Sequence, residues 1–133
     1  FTKDIVDNYN LMAKAGIHPA DAPLFIPPYE WYNEEIAGWA QGMGLKIVNF
    51  TPGTGSNADY TTPDMKNYRS SKDIFNQIIK VEEADGLNGH LLLVHLGTHP
   101  DRTDKFYNRL DKLIKTLKKR GYTFVPLRDA TGY

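Results

Sequence analysis

A histidine stands at the end of the most apolar run in the chain. Leu91 to Val94 and then Leu96 surround His95, and Gly97 and Pro100 follow closely. Such a run predicts a buried strand that stops in a loop. Where strands alternate with helices, catalytic side chains gather at the carboxyl ends of the strands, because the loops converge there. His95 is therefore the candidate acid–base residue, and a core histidine bonded to backbone is the alternative.

Aromatic side chains accompany carboxylates in two predicted loops. Tyr29, Glu30 and Trp31 follow a pair of prolines, and Asp59 and Tyr60 lie in a longer polar loop. Aromatic faces stack on the C–H faces of sugar rings, while polar groups around them bond the hydroxyls. We therefore expect these five residues to bind substrate. The alternative for Trp31 is a hydrophobic staple that packs against the following helix.

Other common kinds of site are not indicated. His95 and His99 have a spacing that binds metal on a helix, but Gly97 and Pro100 predict a loop, so we expect no metal site from this pair. The sequence has no cysteine, which rules out disulfides, zinc–thiolate sites and thiol catalysis. It also lacks a nucleophilic serine motif, a phosphate loop and a dinucleotide fingerprint. What remains is acid–base chemistry on a polar, ring-shaped substrate.

Composition narrows the class of partner. The chain has 133 residues, of which 41% are hydrophobic, enough for a core and for a single domain, residues 1–133. Sixteen basic residues balance sixteen acidic ones, so nothing favours nucleic acid or an anionic surface. No apolar run approaches the roughly 20 residues of a membrane span.

Helix and strand patterns alternate along the chain. Apolar periodicity, capping residues and glycine stops predict four helices. They are residues 1–15 before Gly16, the stretch from Asn33 to Gly44, the stretch from Ser70 or Ser71 to Gly86, and the stretch from Asp101 or Thr103 to Gly121. Short apolar runs predict four strands, at residues 24–26, 45–50, 91–96 and 122–127. This order favours an α/β fold with a parallel sheet and right-handed crossovers. Four strands are too few to close a barrel, so we expect pairing with another copy or with a missing half-domain.

Two stretches resemble the polysaccharide deacetylases of carbohydrate esterase family four, the NodB homology domain. The third motif of that family and the unit that follows it are similar to Phe25-Ile26-Pro27-Pro28-Tyr29, then Asn33 and a helix, and then Gly44-Leu45-Lys46-Ile47-Val48. The fifth motif is a strand ending Leu-x-His and is similar to Leu91-Leu92-Leu93-Val94-His95. The resemblance covers essentially the whole chain, and the motifs follow one another in the family's order. The chain would correspond to the carboxyl-terminal portion of the family's catalytic domain.

The resemblance implies a fold, a reaction and roles for residues. The fold would be part of a distorted (β/α)7-type barrel, and the reaction the removal of acetyl groups from amino sugars or xylan, outside the cell or in the periplasm. His95 would protonate the leaving group, Leu93 would line the acetyl pocket, and the backbone amide of Tyr29 would help to hold the oxyanion. The family uses a divalent metal, usually zinc, whose ligands and catalytic base belong to two motifs expected before Phe1.

Two positions of the third motif, and most of the fourth motif, differ from the family pattern. Ile26 stands where the third motif usually has an arginine, and Glu30 where it has a glycine. The fourth motif is matched only near its end, by Asp59-Tyr60. An alternative function is therefore a non-catalytic carbohydrate-binding module that keeps the fold.

Overall fold

The computed structural model describes residues 1–130 and Gly132. It is a mixed α/β structure, about half helical, with one small parallel sheet. The chain divides into two compact units, one of residues 1–49 and one that begins at Phe50. Each unit has a hydrophobic core of its own.

The first unit alternates helices and strands as predicted. Its elements are α1 (Thr2–Lys14), β1 (Leu24–Phe25), α2 (Glu34–Gly42) and β2 (Lys46–Ile47). The two strands pair in parallel, with Leu24 opposite Lys46. Helix α2 begins after Asn33, whose side-chain oxygen accepts the Ile36 N–H at 2.9 Å.

One side of each element of this unit faces its core. Ile5 from α1, Ala40 from α2 and Leu45 before β2 are buried together, with Phe25 and Ile47 against them. The crossover from β1 to β2 through α2 therefore buries one face of the small sheet against helices, as in other parallel α/β units.

The second unit contains α3 (Ser71–Asp85), α4 (Leu110–Lys119) and the short α5 (Leu127–Ala130). A 3₁₀ turn at Phe106–Arg109 leads directly into α4. Its core joins α3 to α4 and the turn before it, through Ile74, Ile78, Leu87, Phe106, Leu113 and Leu117. A capping box at Ser70 and Asp73 fixes the start of α3.

Two of the four predicted strands are absent from the described residues, and so is the barrel. In the segment 91–96, hydrogen bonds go to other groups: the Leu91 N–H donates to Thr51 Oγ1 at 3.0 Å, and the Leu91 carbonyl accepts the Thr51 N–H at 2.9 Å. The segment 122–127 is also not a strand, since Pro126 has no N–H to donate and Leu127 begins α5. A strand needs a neighbouring ladder, and neither segment forms one with the described part of the chain.

None of the described helices combines the length and the hydropathy that crossing a membrane requires.

Candidate active site

His95 and Asp59 form a hydrogen-bonded pair in the second unit. The ring Nδ1 of His95 lies 2.7 Å from Asp59 Oδ1, and the backbone N–H of His95 donates to Asp59 Oδ2 at 2.8 Å. Both carboxylate oxygens therefore serve one residue. The Asp59 side chain is fully buried, whereas 32% of the His95 side chain is exposed. The buried Asp59 carboxylate thus holds a His95 imidazole that is exposed enough to contact a substrate.

A tight turn delivers Asp59 to this position. Residues Ser56–Tyr60 form a 3₁₀ turn, and Gly55 before it has a φ of 67°, in the left-handed region that glycine adopts without strain. The turn is closed by Thr61, whose hydroxyl donates to the Ala58 carbonyl at 2.7 Å. Glycine and short hydroxyl side chains are the residues that such turns need.

The apolar run before His95 positions this second member of the pair. Leu92 and Val94 pack against the core of the second unit. Leu93, which stands between them, is not among the described residues that pack against that core. Leu93 is half-buried and stands two residues before His95. The strand that the sequence predicts at residues 91–96 is absent here.

The pair fixes the orientation and proton of the imidazole. A carboxylate only accepts hydrogen bonds, so the network assigns the ring proton to Nδ1 of His95. Nε2 is then the nitrogen that faces chemistry, able to take or give a proton while Asp59 stabilises the imidazolium form. This geometry is that of a general acid or base, and it makes Asp59 a partner of His95 rather than the substrate contact that was predicted.

A cavity of about 350 Å³ adjoins the pair at Tyr60. The Tyr60 ring meets the His95 ring edge to face, with centroids 5.9 Å apart, and is half-exposed. Asp64, His99 and Asp101 bring polar groups to the lining. A hydrogen bond from the Thr62 hydroxyl is the main cause that lowers the pKa of Asp64, so its carboxylate is ionised at neutral pH.

The second predicted loop belongs to the first unit. Tyr29 and Trp31 expose 94% and 65% of their surface, and the Asn49 side chain donates to the Glu30 carbonyl at 2.7 Å. Tyr29 and Glu30 have φ values of 58° and 57°, which is uncommon for residues other than glycine. Strain of this kind is found at binding and catalytic sites, and a glycine in place of Glu30 would adopt the same φ without strain.

The described residues contain no group of three or more His, Cys, Asp or Glu side chains that could hold a metal ion. His99 instead accepts the Asp101 N–H at its Nδ1, 3.2 Å away, on an exposed loop. The side chains present therefore do not fit the zinc that the sequence resemblance implies.

No family model, curated protein or solved structure matches the chain. One buried residue that the sequence did not single out is Arg102, which donates to the Thr61 carbonyl two residues after Asp59. Its only sequence signal is an arginine close after His95, among residues that predict a loop.

Proposed function

We propose that the protein is a carbohydrate deacetylase in which His95 is the general acid. The observation that carries this proposal is the pairing of a half-exposed imidazole with a buried carboxylate, through the ring Nδ1 at 2.7 Å. The position of His95 in a Leu-x-His sequence, and of Asp59 in front of an aromatic residue, supports the same family of reactions.

The proposed step is proton transfer to a leaving group. Hydrolysis of an acetyl group adds water to its carbonyl, and the resulting intermediate expels the sugar nitrogen or oxygen as acetate forms. A proton on Nε2 of His95 passes to that leaving atom, and Asp59 stabilises the imidazolium form that supplies it. Leu93, two residues before His95, is proposed to contact the acetyl methyl group.

The reaction needs other groups besides this acid. We assign the base, and the divalent metal implied by the resemblance, to residues outside this sequence, since the described part of the chain gathers no ligand set. With those residues, the two parallel strands would belong to a larger barrel. Pairing with that half-domain or with a second copy, and a place outside the cell or in the periplasm, are parts of the same proposal.

The proposed substrate is an acetylated polysaccharide or oligosaccharide. The cavity beside Tyr60 has room for a sugar ring and offers one aromatic face with carboxylates at its rim. Tyr29 and Trp31 are exposed aromatic side chains of the kind that stack on sugars, and Glu30 between them can accept hydrogen bonds from hydroxyls.

Acetate release tests the proposal. The full-length natural protein, supplied with zinc, is incubated with acetylated xylan and with chitooligosaccharides, and free acetate is measured. We expect release that His95→Gln abolishes or strongly reduces. If neither substrate releases acetate and the protein also binds no metal, the proposal that it is a deacetylase is rejected.

A non-catalytic carbohydrate-binding module is the second candidate. It is favoured by the exposure of Tyr29 and Trp31 and by Ile26 and Glu30, which replace the arginine and glycine of the family motif. Oligosaccharide binding without acetate release, and unchanged by His95→Gln, would establish this function instead.

A further inference from the structure

Arg102 is a fully buried cation held by neutral groups. Its Nη1 donates to the Thr61 carbonyl at 2.6 Å and to Thr61 Oγ1 at 3.3 Å. Its Nη2 donates to the Arg69 carbonyl at 3.0 Å and to Ser71 Oγ at 3.4 Å. The guanidinium also lies 5.4 Å from the centre of the Tyr68 ring. One side chain thus hydrogen-bonds both ends of the loop 61–69 and the first residue of α3.

Burying this charge is unfavourable for stability alone. A cation removed from water loses its hydration, and carbonyl and hydroxyl oxygens replace that only in part. Arg102 Nε has no acceptor among the described residues, so the compensation is incomplete. An apolar side chain of the same volume would fill the space without that loss. A buried guanidinium therefore suggests that Arg102 positions other groups, because its planar set of donors holds several acceptors in fixed directions.

The geometry in question is that of the Asp59–His95 pair. Thr61, which accepts from Arg102, stands two residues after Asp59 and closes the turn that carries it. Arg102 itself follows His95 by seven residues. The same two segments are therefore joined at two successive points, first by Asp59 and His95 and then by Thr61 and Arg102.

Hydrogen bonds hold the chain between His95 and Arg102 in place. A change at the Thr61–Arg102 link should therefore affect the Asp59–His95 link. Lys105 Nζ donates to Thr98 Oγ1 at 2.8 Å and to the His99 carbonyl at 2.8 Å. Asp104 accepts the Ser71 N–H at 2.6 Å, which ties the segment after Arg102 to the start of α3. With both flanks held, a shift of Arg102 displaces Thr61 and the turn with it.

We propose that Arg102 is a positioning residue that holds Asp59 at hydrogen-bonding distance from the His95 ring. This rests on the proposed function insofar as that pair is the catalytic one. One consequence does not depend on any substrate. The Nδ1 proton of His95 should exchange slowly with water while Arg102 bridges Thr61 and Arg69, and faster once that bridge is lost.

The test is an NMR measurement of that proton. Full-length protein with ¹⁵N-labelled histidine is examined for the Nδ1–H resonance of His95, assigned by its loss in His95→Gln. Arg102→Met keeps most of the volume and removes all donors, while Arg102→Lys keeps the charge and loses the fork. Leu113→Ala, in the core of the same unit, is the control for lost stability.

We expect the resonance to persist in Leu113→Ala and to exchange with water at least about tenfold faster in Arg102→Met, with Arg102→Lys between them. A resonance unchanged in both Arg102 variants would overturn the proposal and leave Arg102 a purely structural residue. If Arg102→Met does not fold, Arg102→Lys decides by the same criterion. Because no substrate enters the measurement, its outcome is separate from that of the acetate assay.

Discussion

Asp59 binds His95 twice, because one carboxylate oxygen meets the ring Nδ1 and the other accepts the backbone N–H of the same residue. The two residues are 36 positions apart in the chain. The double contact fixes both the ring and the backbone that carries it, so the direction of Nε2 is set before any substrate binds. Pre-organisation of this kind is what an acid–base residue needs.

Asp59→Asn should separate the role of the carboxylate charge from that of its shape. Asparagine fills the same space but cannot stabilise an imidazolium form, and its amide can face Nδ1 and hold the wrong tautomer. We expect acetate turnover to fall by about 10²-fold or more with a small change in KM. Steady-state kinetics of the full-length protein measure both constants.

The matched control for Asp59→Asn is Asp111→Asn, which removes an exposed carboxylate on α4. Turnover of the control should remain at the level of the unmutated protein. Equal turnover in the two variants would mean that Asp59 does not support His95 in the reaction.

Trp31→Ala should weaken the binding of oligosaccharide without affecting folding. Trp31 is largely exposed, so its removal leaves little void, but it takes away a flat face for stacking. We expect a rise in Kd, measured by calorimetry, with the melting temperature nearly unchanged. Trp39→Ala is the control, since Trp39 stacks on Phe1 at 5.7 Å, and its loss should lower stability by about 1 kcal/mol without a change in Kd. The reverse pattern would make Trp31 a structural residue.

Phe106→Ala should be among the most destabilising single changes in the second unit. The Phe106 ring is almost fully buried among residues of α3 and α4. We expect the free energy of unfolding to fall by about 3–5 kcal/mol, as for other buried aromatic side chains. Its neighbour Tyr107 is exposed, and Tyr107→Ala should cost less than about 1 kcal/mol in urea titration. Similar losses in the two variants would contradict the assignment of the core.

The start of α3 should respond to acid. A hydrogen bond from the Ser70 side chain is the main cause that lowers the pKa of Asp73 below its usual 3.8. A carboxyl group with a lower pKa in the folded state stabilises the fold above its unfolded pKa and loses that contribution as pH falls through the folded pKa. Asp73→Asn should therefore lower the melting temperature at pH 7, and the gap to the unmutated protein should begin to narrow near pH 3.8 and vanish as the pH falls through the lower pKa of the folded state.

Asp85→Asn, at the other end of α3, is the control for that experiment because it lies outside the capping box. Its melting temperature should follow the unmutated protein through the acid range. A gap for Asp73→Asn that is the same at pH 7 and pH 3 would show that the ionised carboxylate contributes nothing to the cap.

The helices could be predicted from the sequence because their signals are local. Asn33 and Ser70 cap helices where predicted, and the periodic apolar residues of α3 and α4 face a core. The start of the last predicted helix was less accurate: the prediction began it at Asp101 or Thr103, but α4 begins at Leu110 after a 3₁₀ turn. Short-range capping and periodicity act within a few residues, so a single sequence reveals them.

Strands and site contacts depend on distant residues and were predicted less well. Residues 91–96 have the composition of a strand, but their hydrogen bonds go to Thr51 and Asp59 instead of to a ladder. Asp59 was predicted from its aromatic neighbour as a substrate contact, since nothing in the sequence indicates which histidine it would reach. Arg102 was not singled out, because its one signal, an arginine in a polar segment close after His95, is usual for an exposed side chain.

His95→Gln in the full-length protein tests the central claim most directly. Glutamine keeps a polar side chain of similar reach but cannot donate a proton as an acid, so it removes the proposed step with little change in packing. The matched control is His90→Gln, since His90 lies at the other end of the same apolar run and lines a different cavity, with Leu117 and Tyr122.

The measurement is the initial rate of acetate release from acetylated oligosaccharide, with the Kd of the same ligand measured in parallel. The account predicts that His95→Gln lowers turnover by about 10²–10⁴-fold at nearly constant Kd, while His90→Gln retains normal turnover. Turnover of His95→Gln equal to that of the unmutated protein would contradict the assignment of His95 as the general acid.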